Sequence, residues 1–406
     1  MVSQFCETPV MIEKRLSRAL VVLVVTASLV VAGGCSSSGS SAKSSSVSTV
    51  NVASTSVPTA TRSAPYAKSG PYAVGFATFA LSGGRRVVVW YPAQPGSTGG
   101  HRQESIDITS FLSPALQAKV PAADRVRYAA NAYENAPPAA SPGGFPLVLF
   151  SHGFAGFPEQ SVSLTTHLAS WGFVVAAPDH VERSLDGLLG TGAVGVPKMT
   201  DVAVLQATLD LVLKESKAAG VLGGLIDPTR VVTAGHSAGA GAAYALAYAD
   251  PRIKAWISYS VGFGGQAGPA PRTPTQPGMV MLGTTDGIIA PANSEKVYAG
   301  MHTPKYLVRI TDAGHLVFSG ICLIGQGKGG ITNIAKALKL PIPASLLKLG
   351  SDGCASPHPP VQHAFPAIDQ LSVAFFRSEL GIDKTPVGLD TQAVTGLGAN
   401  VTVEHR

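Results

Sequence analysis

The stretch Val231-Val232-Thr233-Ala234-Gly235-His236-Ser237-Ala238-Gly239-Ala240-Gly241-Ala242-Ala243-Tyr244 decides the architecture. Val231–Ala234 reads as a buried strand and the Ala-rich run Ala238–Ala249 as a helix. Between them Gly235-His236-Ser237-Ala238-Gly239 fits the pattern G-x-S-x-G. The letters alone say little in a chain with 45 glycines; the strand-to-helix setting carries them. Small flanking residues allow a sharp turn that lifts the Ser237 hydroxyl above the end of a sheet. The helix start aims amides and a positive dipole end at any oxyanion forming there. Ser237 is the expected nucleophile.

Working outward, strands and helices alternate. Arg85–Tyr91, Phe145–Phe150, Phe173–Pro178, Ile253–Ser258, Met279–Gly283 and Tyr306–Ile310 read as strands. Gln160–Trp171, Asp201–Lys217 and a segment near Ser294–Ala299 read as helices. The apolar run Phe145–Phe150 suits a strand covered on both faces. The expected fold is α/β, a mostly parallel doubly wound sheet with helices on both faces.

A serine hydroxyl needs a base, and the base needs an orienting acid. After such a turn the acid precedes the histidine in the chain. Asp286 follows the strand Met279–Gly283, and His315 follows Tyr306–Ile310, so each stands at a strand's C-terminal end. Asp312 is the rival acid, but it shares a loop with His315. His101, His302, His358, His363 and His405 read as surface residues. The loop Ser151-His152-Gly153-Phe154-Ala155-Gly156 follows another strand end. The amides of Phe154 and Ala238 are the expected oxyanion donors, and His152 reads as a buried side chain that organises its loop.

Composition narrows the alternatives. The chain has 406 residues, 45% of them hydrophobic and 13% charged, which excludes a disordered chain or a coiled coil. Thirty basic against 24 acidic residues, without a basic cluster interleaved with aromatics, gives no nucleic-acid footprint. Gly325-x-Gly327-x-x-Gly330, with Asp352 beyond, spells a dinucleotide fingerprint but lacks a surrounding βαβ unit. No metal-ligand spacing occurs, and neither a cofactor nor a metal is expected.

The N-terminus reads as an export signal. Lys14, Arg15 and Arg18 precede the apolar run Ala19–Ala32, with Met1 or Met11 as the start. Ala32-Gly33-Gly34-Cys35 resembles a lipobox, so residues 1–34 are expected to be removed and Cys35 lipidated. Residues 35–64 form a tether: Ser36–Ala64 holds 12 Ser, 4 Thr and no acid. The expected location is the bacterial cell envelope, on a membrane surface through that anchor, with simple secretion as the alternative. Cys322 and Cys354 remain and are expected to form a disulfide. The folded domain is expected over residues 65–383. Within it, residues 319–362 form a lid-like insertion, and the tail 384–406 lacks apolar periodicity and reads as mobile.

Phe145-Pro146-Leu147-Val148-Leu149-Phe150-Ser151-His152-Gly153 and Leu168-Ala169-Ser170-Trp171-Gly172-Phe173-Val174-Val175-Ala176-Ala177-Pro178-Asp179-His180 resemble one known group. It is the platelet-activating-factor acetylhydrolase group of the α/β-hydrolase superfamily, close to dienelactone-hydrolase-like and cutinase-like enzymes. The resemblance spans roughly Arg85–His315 plus a closing helix Phe365–Leu380. It implies cofactor-free hydrolysis of carboxylic esters, small or lipid-like, by Ser237, His315 and Asp286, with Phe154 and Ala238 holding the oxyanion. Ala238 replaces the Met usual in polyester hydrolases, and Tyr259-Ser260-Val261-Gly262-Phe263 lacks their aromatic-clamping Trp. Phe154, Phe157, Phe263, Ile288 and Leu316 suggest an uncharged, greasy acyl group. The alternatives are a cutinase-like polyester hydrolase and a catalytically silent lipid-binding lipoprotein. A monomer is expected.

Overall fold

Phe145–Ser151 is buried along its whole length. Its side chains alternate, Leu147 and Leu149 to one face of a sheet and Val148 and Phe150 to the other, so both faces need cover. The computed structural model describes residues 63–263 and 271–406. The signal segment, Cys35 and nearly all of the tether lie outside the described residues.

Among the described residues eleven strands form one sheet. In chain order they are β1 (Ala73–Ala80), β2 (Arg86–Ala93), β3 (Gln103–Asp107), β4 (Arg127–Glu134), β5 (Phe145–Ser151), β6 (Val174–Pro178), β7 (Ile226–His236), β8 (Ile253–Tyr259), β9 (Gly278–Gly283), β10 (Lys305–Ile310) and β11 (Val401–His405). The spatial order is β11-β10-β9-β8-β7-β5-β6-β2-β1-β4-β3. The run from β6 through β10 is parallel. The outer pairs β10–β11, β2–β6, β1–β2 and β3–β4 are antiparallel.

The helices are α1 (Pro114–Gln117), α2 (Val162–Ser170), α3 (Leu185–Leu189), α4 (Asp201–Lys217), α5 (Ala238–Ala249), α6 (Pro291–Ala299), α7 (Ile331–Ala337), α8 (Ala344–Leu349), α9 (Phe365–Glu379) and α10 (Thr391–Val394). Leu164 and Leu168 of α2 pack with Leu371 and Phe375 of α9 on one face. Leu205 and Leu209 of α4, Leu246 of α5 and Tyr298 of α6 cover the other. This is the doubly wound α/β arrangement expected from sequence. After β5 the chain goes to β6 on one side and returns through α4 to β7 on the other. The loops following β5 and β7 therefore diverge over a crevice at the strands' C-terminal ends, where ligands bind in such sheets.

The tail corrects one expectation. Residues 384–406 are ordered: α10 buries Ala393 and Val394, and β11 pairs antiparallel with β10 from Tyr306↔His405 to Ile310↔Val401. Leu389, Val394 and Val401 enter the main core. The domain thus runs beyond residue 383. The sequence signal was short, a five-residue alternation in β11 whose register only the β10 edge defines.

A chain ending at Lys384 should unfold at lower temperature than the whole protein and aggregate, because β10 becomes an open edge beside an uncovered apolar patch. Differential scanning calorimetry checks this; an unchanged midpoint would show that the tail adds nothing.

Candidate active site

Ser237 sits at φ 58°, ψ −120°, between β7 and α5. A non-glycine residue held there stores on the order of 1–3 kcal/mol, so its surroundings must over-determine it. Both glycines of the motif do so by close approach. A Cβ at Gly235 would lie 2.1 Å from the Gly239 carbonyl oxygen, and one at Gly239 would lie 2.0 Å from that of Ser151. The Ser237 amide donates to the Tyr259 carbonyl at 2.9 Å, fixing the turn to β8.

His315 Nε2 lies 2.9 Å from Ser237 Oγ, and His315 Nδ1 lies 2.8 Å from Asp286 Oδ2. Asp286 Oδ1 accepts the amides of Ile288 and Ile289 at 2.9 and 2.8 Å, so the carboxylate cannot rotate away. Burial opposes its charge, but His315 and these amides outweigh burial and hold the carboxyl below its usual range. The ionised Asp286 accepts from Nδ1–H, which leaves Nε2 free to accept the Ser237 hydroxyl proton. Asp312 is exposed, and its carboxylate makes no hydrogen bond or ion pair with the His315 imidazole.

Gly153 brings the loop after β5 against the nucleophile: a Cβ there would lie 3.3 Å from the Ser237 Cβ. The amides of Phe154 and Ala238 find no acceptor among the described residues, and both stand beside Ser237.

Sequence reasoning missed the side chains behind this loop. Gln160 accepts the Gly153 amide through Oε1 at 2.9 Å and approaches His236 Nδ1 through Nε2 at 2.7 Å. His236 Nε2 in turn donates to the His315 carbonyl at 3.0 Å, joining the oxyanion loop to the base. Arg183, buried behind the loop, donates to the carbonyls of His152 and Gly153 and to Ser151 Oγ. It is held by Asp201 at 3.1 Å from Nε. His152 accepts the His180 amide at 3.0 Å, a loop-organising role as expected. His180 Nε2 lies 2.9 Å from Ser151 Oγ and its Nδ1 2.8 Å from Asp201 Oδ1, though that last contact lacks hydrogen-bond alignment. Ser151, His180 and Asp201 thus repeat the order of groups at Ser237, but Ser151 is sealed beneath the loop with an arginine on its oxygen. The only sequence trace of this network is Asp179-His180 beyond β6 and Arg183 just after it.

A cavity, partly open to solvent, rises above Ser237 and His315. Phe154, Phe157 and Leu316 line it from the rest of the domain, and Ile321, Ile334, Leu346 and Leu347 line it from the insertion. Phe263 and Ile288 do not: Phe263 packs on Tyr244 beneath α5, and Ile288 serves Asp286 through its amide. Cys322 and Cys354 are disulfide-bonded, with Cα atoms 4.9 Å apart at the two ends of the insertion. Next to that bridge, Asp352 Oδ1 accepts the His315 amide at 2.6 Å and the Gly287 amide at 3.4 Å. One carboxylate of the insertion therefore ties together the loops of the acid and the base. The Gly325–Gly330 run forms a short 3₁₀ turn between the cysteines, not a βαβ phosphate loop.

A family model described as Chlorophyllase matches residues 134–285, which include the loop after β5 and Ser237 but stop before Asp286. Among solved structures, the ferulic acid esterase from Streptomyces cinnamoneus superposes with a TM-score of 0.55 at 22% identity, covering 82% of this chain and 96% of that one.

The buried imidazoles give the protein an acid-sensitive fold. Burial pushes His180 and His236 down to about 3 and His167 to about 4, from 6.5. The unfolded chain binds protons at these sites below about pH 6.5, whereas the folded chain binds them only near 3–4. The stability these imidazoles contribute is therefore full above pH 6.5 and is lost as pH drops through that value, whereas burial of Glu104, whose carboxyl is pushed up to about 8, and of Asp369 acts in the opposite direction; Asp286 adds to the loss only below about pH 4. The urea midpoint should fall less from pH 7.5 to 4.5 in His167→Gln than in the parent, and equal falls would contradict a buried neutral imidazole at that position.

Proposed function

We propose that this member of the α/β-hydrolase superfamily is a serine hydrolase of carboxylic esters with an uncharged, apolar chain. One observation carries the reading: Ser237, His315 and Asp286 stand in line at 2.9 and 2.8 Å on the floor of an apolar cavity. The names of the matching family and of the structural neighbour point to ester cleavage as well.

In this mechanism Ser237 Oγ attacks the ester carbonyl carbon while His315 Nε2 takes its proton. The carbonyl oxygen becomes an oxyanion between the Phe154 and Ala238 amides, at the positive end of α5. Asp286 holds the imidazole with Nδ1 protonated and stabilises the imidazolium. His315 then gives its proton to the leaving alkoxide, and the alcohol departs. Water enters, His315 removes its proton, and hydroxide adds to the acyl carbon; collapse returns the proton to Ser237 and frees the acid. The acyl or alcohol chain lies among Phe157, Leu316 and Leu346.

The reading extends to location: a chain exported through residues 1–34 and held at the envelope by lipidated Cys35. Mass spectrometry of the mature protein tests this, and an unmodified Cys35 or a start beyond it would overturn it.

Ser237→Ala should lower turnover of a short-chain chromogenic ester by on the order of 10⁶-fold without moving the unfolding midpoint. More than a few per cent residual activity would refute the assignment, and an inactive parent would favour the silent lipid-binder. Asp352→Ala should lower kcat by about 100-fold, since a shift of about 1 Å at His315 suffices, while Asp352→Asn keeps an oxygen for both amides and most of the rate. Equal rates in the two variants would remove Asp352 from the site's support. Reducing the disulfide, which closes a separation of 32 residues and contributes about 3–4 kcal/mol in the chain-entropy account, should raise KM for long esters before the domain unfolds. Unchanged constants across ester lengths would exclude a substrate role for the insertion.

A further inference from the structure

We propose that the mouth of the cavity above Ser237 is a docking surface for an anionic lipid bilayer. Four large apolar side chains stand exposed among the described residues: Phe154, Leu188, Val194 and Tyr248. Phe154 lines this cavity, Leu188 lies on a helix that lines it, and Val194 follows five residues after the lining Leu189. Phe154 is 46% exposed yet lines the cavity, which marks it as part of the mouth. Leu188 projects from α3, whose Leu185 and Leu189 line the cavity, and Val194, 80% exposed, follows on the next loop. Single exposed apolar residues are ordinary; a group of them around one apolar opening is not.

The wall supplied by the insertion is cationic. Ile334, Ala335, Leu346 and Leu347 of α7 and α8 face the cavity, while Lys336, Lys339 and Lys348 on and beside those helices are exposed. Lys119 and Arg125, also exposed, flank the lining residues Val120 and Val126. None of these five cations pairs with a carboxylate among the described residues, whereas neighbouring Lys328 pairs with Asp124 and Arg127 with Asp107. The one acid between Gly325 and Gly353, Asp352, is engaged with the backbone of His315.

Exposed apolar side chains beside unpaired lysines match the two layers of a bilayer surface, acyl boundary and anionic headgroup. An acidic protein would satisfy the lysines but leave the apolar rim without purpose. A neutral lipid surface would do the reverse. The bilayer would deliver the ester into the cavity, and this part of the inference rests on the proposed hydrolase reading; the docking itself does not.

The test uses the full chain carrying Ser237→Ala, to prevent turnover, and Cys35→Ser, to exclude lipidation. Sedimentation with phosphatidylcholine vesicles, with and without phosphatidylglycerol at about 30 mol %, measures binding. Binding should be at least about tenfold tighter with phosphatidylglycerol and should weaken in about 0.5 M salt. The triple variant Lys336→Glu, Lys339→Glu, Lys348→Glu should lose about tenfold or more, and Leu188→Ser with Val194→Ser should lose severalfold. Equal binding to both vesicle types would overturn the proposal. So would unchanged binding of the variants, the result if residues 1–62 alone hold the chain. Should the triple variant fail to fold, the lipid and salt dependence of the unaltered surface decides. With Ser237 restored, the surface variants should cleave a soluble short-chain ester at the parent's rate; a parent that cleaves none would sink the hydrolase reading and leave the vesicle result standing.

Discussion

The site depends on a contact that contains no side chain. The first turn of α5 rests on the carbonyls of Ser151 and His152, so near that a methyl group at 239 would lie 2.0 and 2.4 Å from them. That contact locks the start of the nucleophile helix to the end of β5. It holds Ser237 at its positive φ and brings Gly153 beneath it. A bulkier residue at 239 would separate β5 from β7 at their C-terminal ends and pull apart the hydroxyl and the donor loop together. The distances to His315 and Asp286 are consequences of this approach, since β8, β9 and β10 build outward from β7 in parallel register.

Close packing of backbone leaves carbonyls that need donors, and the buried polar side chains meet that need. Arg183 supplies two carbonyls and a hydroxyl, Gln160 binds the Gly153 amide, and His236 reaches the His315 carbonyl. Unpaired, such groups would each cost about 1–3 kcal/mol in the interior. Paired, they leave the loop after β5 with one conformation before substrate arrives, which is what a stabilising site for developing charge requires. The neutral state of His236 belongs to the same logic, because a charged imidazole could not accept from Gln160.

The sheet was legible where periodicity ran long. The bounds of Asp201–Lys217 and Ala238–Ala249 agree at both ends, and the central strands within a few residues, because burial on one or both faces imposes an apolar pattern on the chain. The edges were not legible. β1, β3, β4 and β11 show exposed positions or short alternations, and their partners lie far away in sequence, so nothing local announces them. In the site, the residues with a fixed place in a turn could be read: Ser237 from its glycines, Asp286 and His315 from the strand ends before them. The network of Gln160, Arg183, His180 and Asp201 could not, because its order exists only after β5, β6 and α4 have come together. Asp352 was seen only as an incidental letter in a glycine pattern, whereas its role comes from folding back onto His315.

That fold-back limits how a scaffold of this kind diversifies. The segment between Cys322 and Cys354 supplies much of the cavity's wall, and it contributes no strand to the sheet. Yet it ends in the residue that fastens the loops of the acid and the base. Exchange of this segment for another of different shape would alter which molecules fit and, unless an acceptor returned to the same spot, would slacken the imidazole as well. Descendants of this architecture are thus confined to variation inside a frame, with α7 and α8 open to change and the joint at residues 352–354 retained.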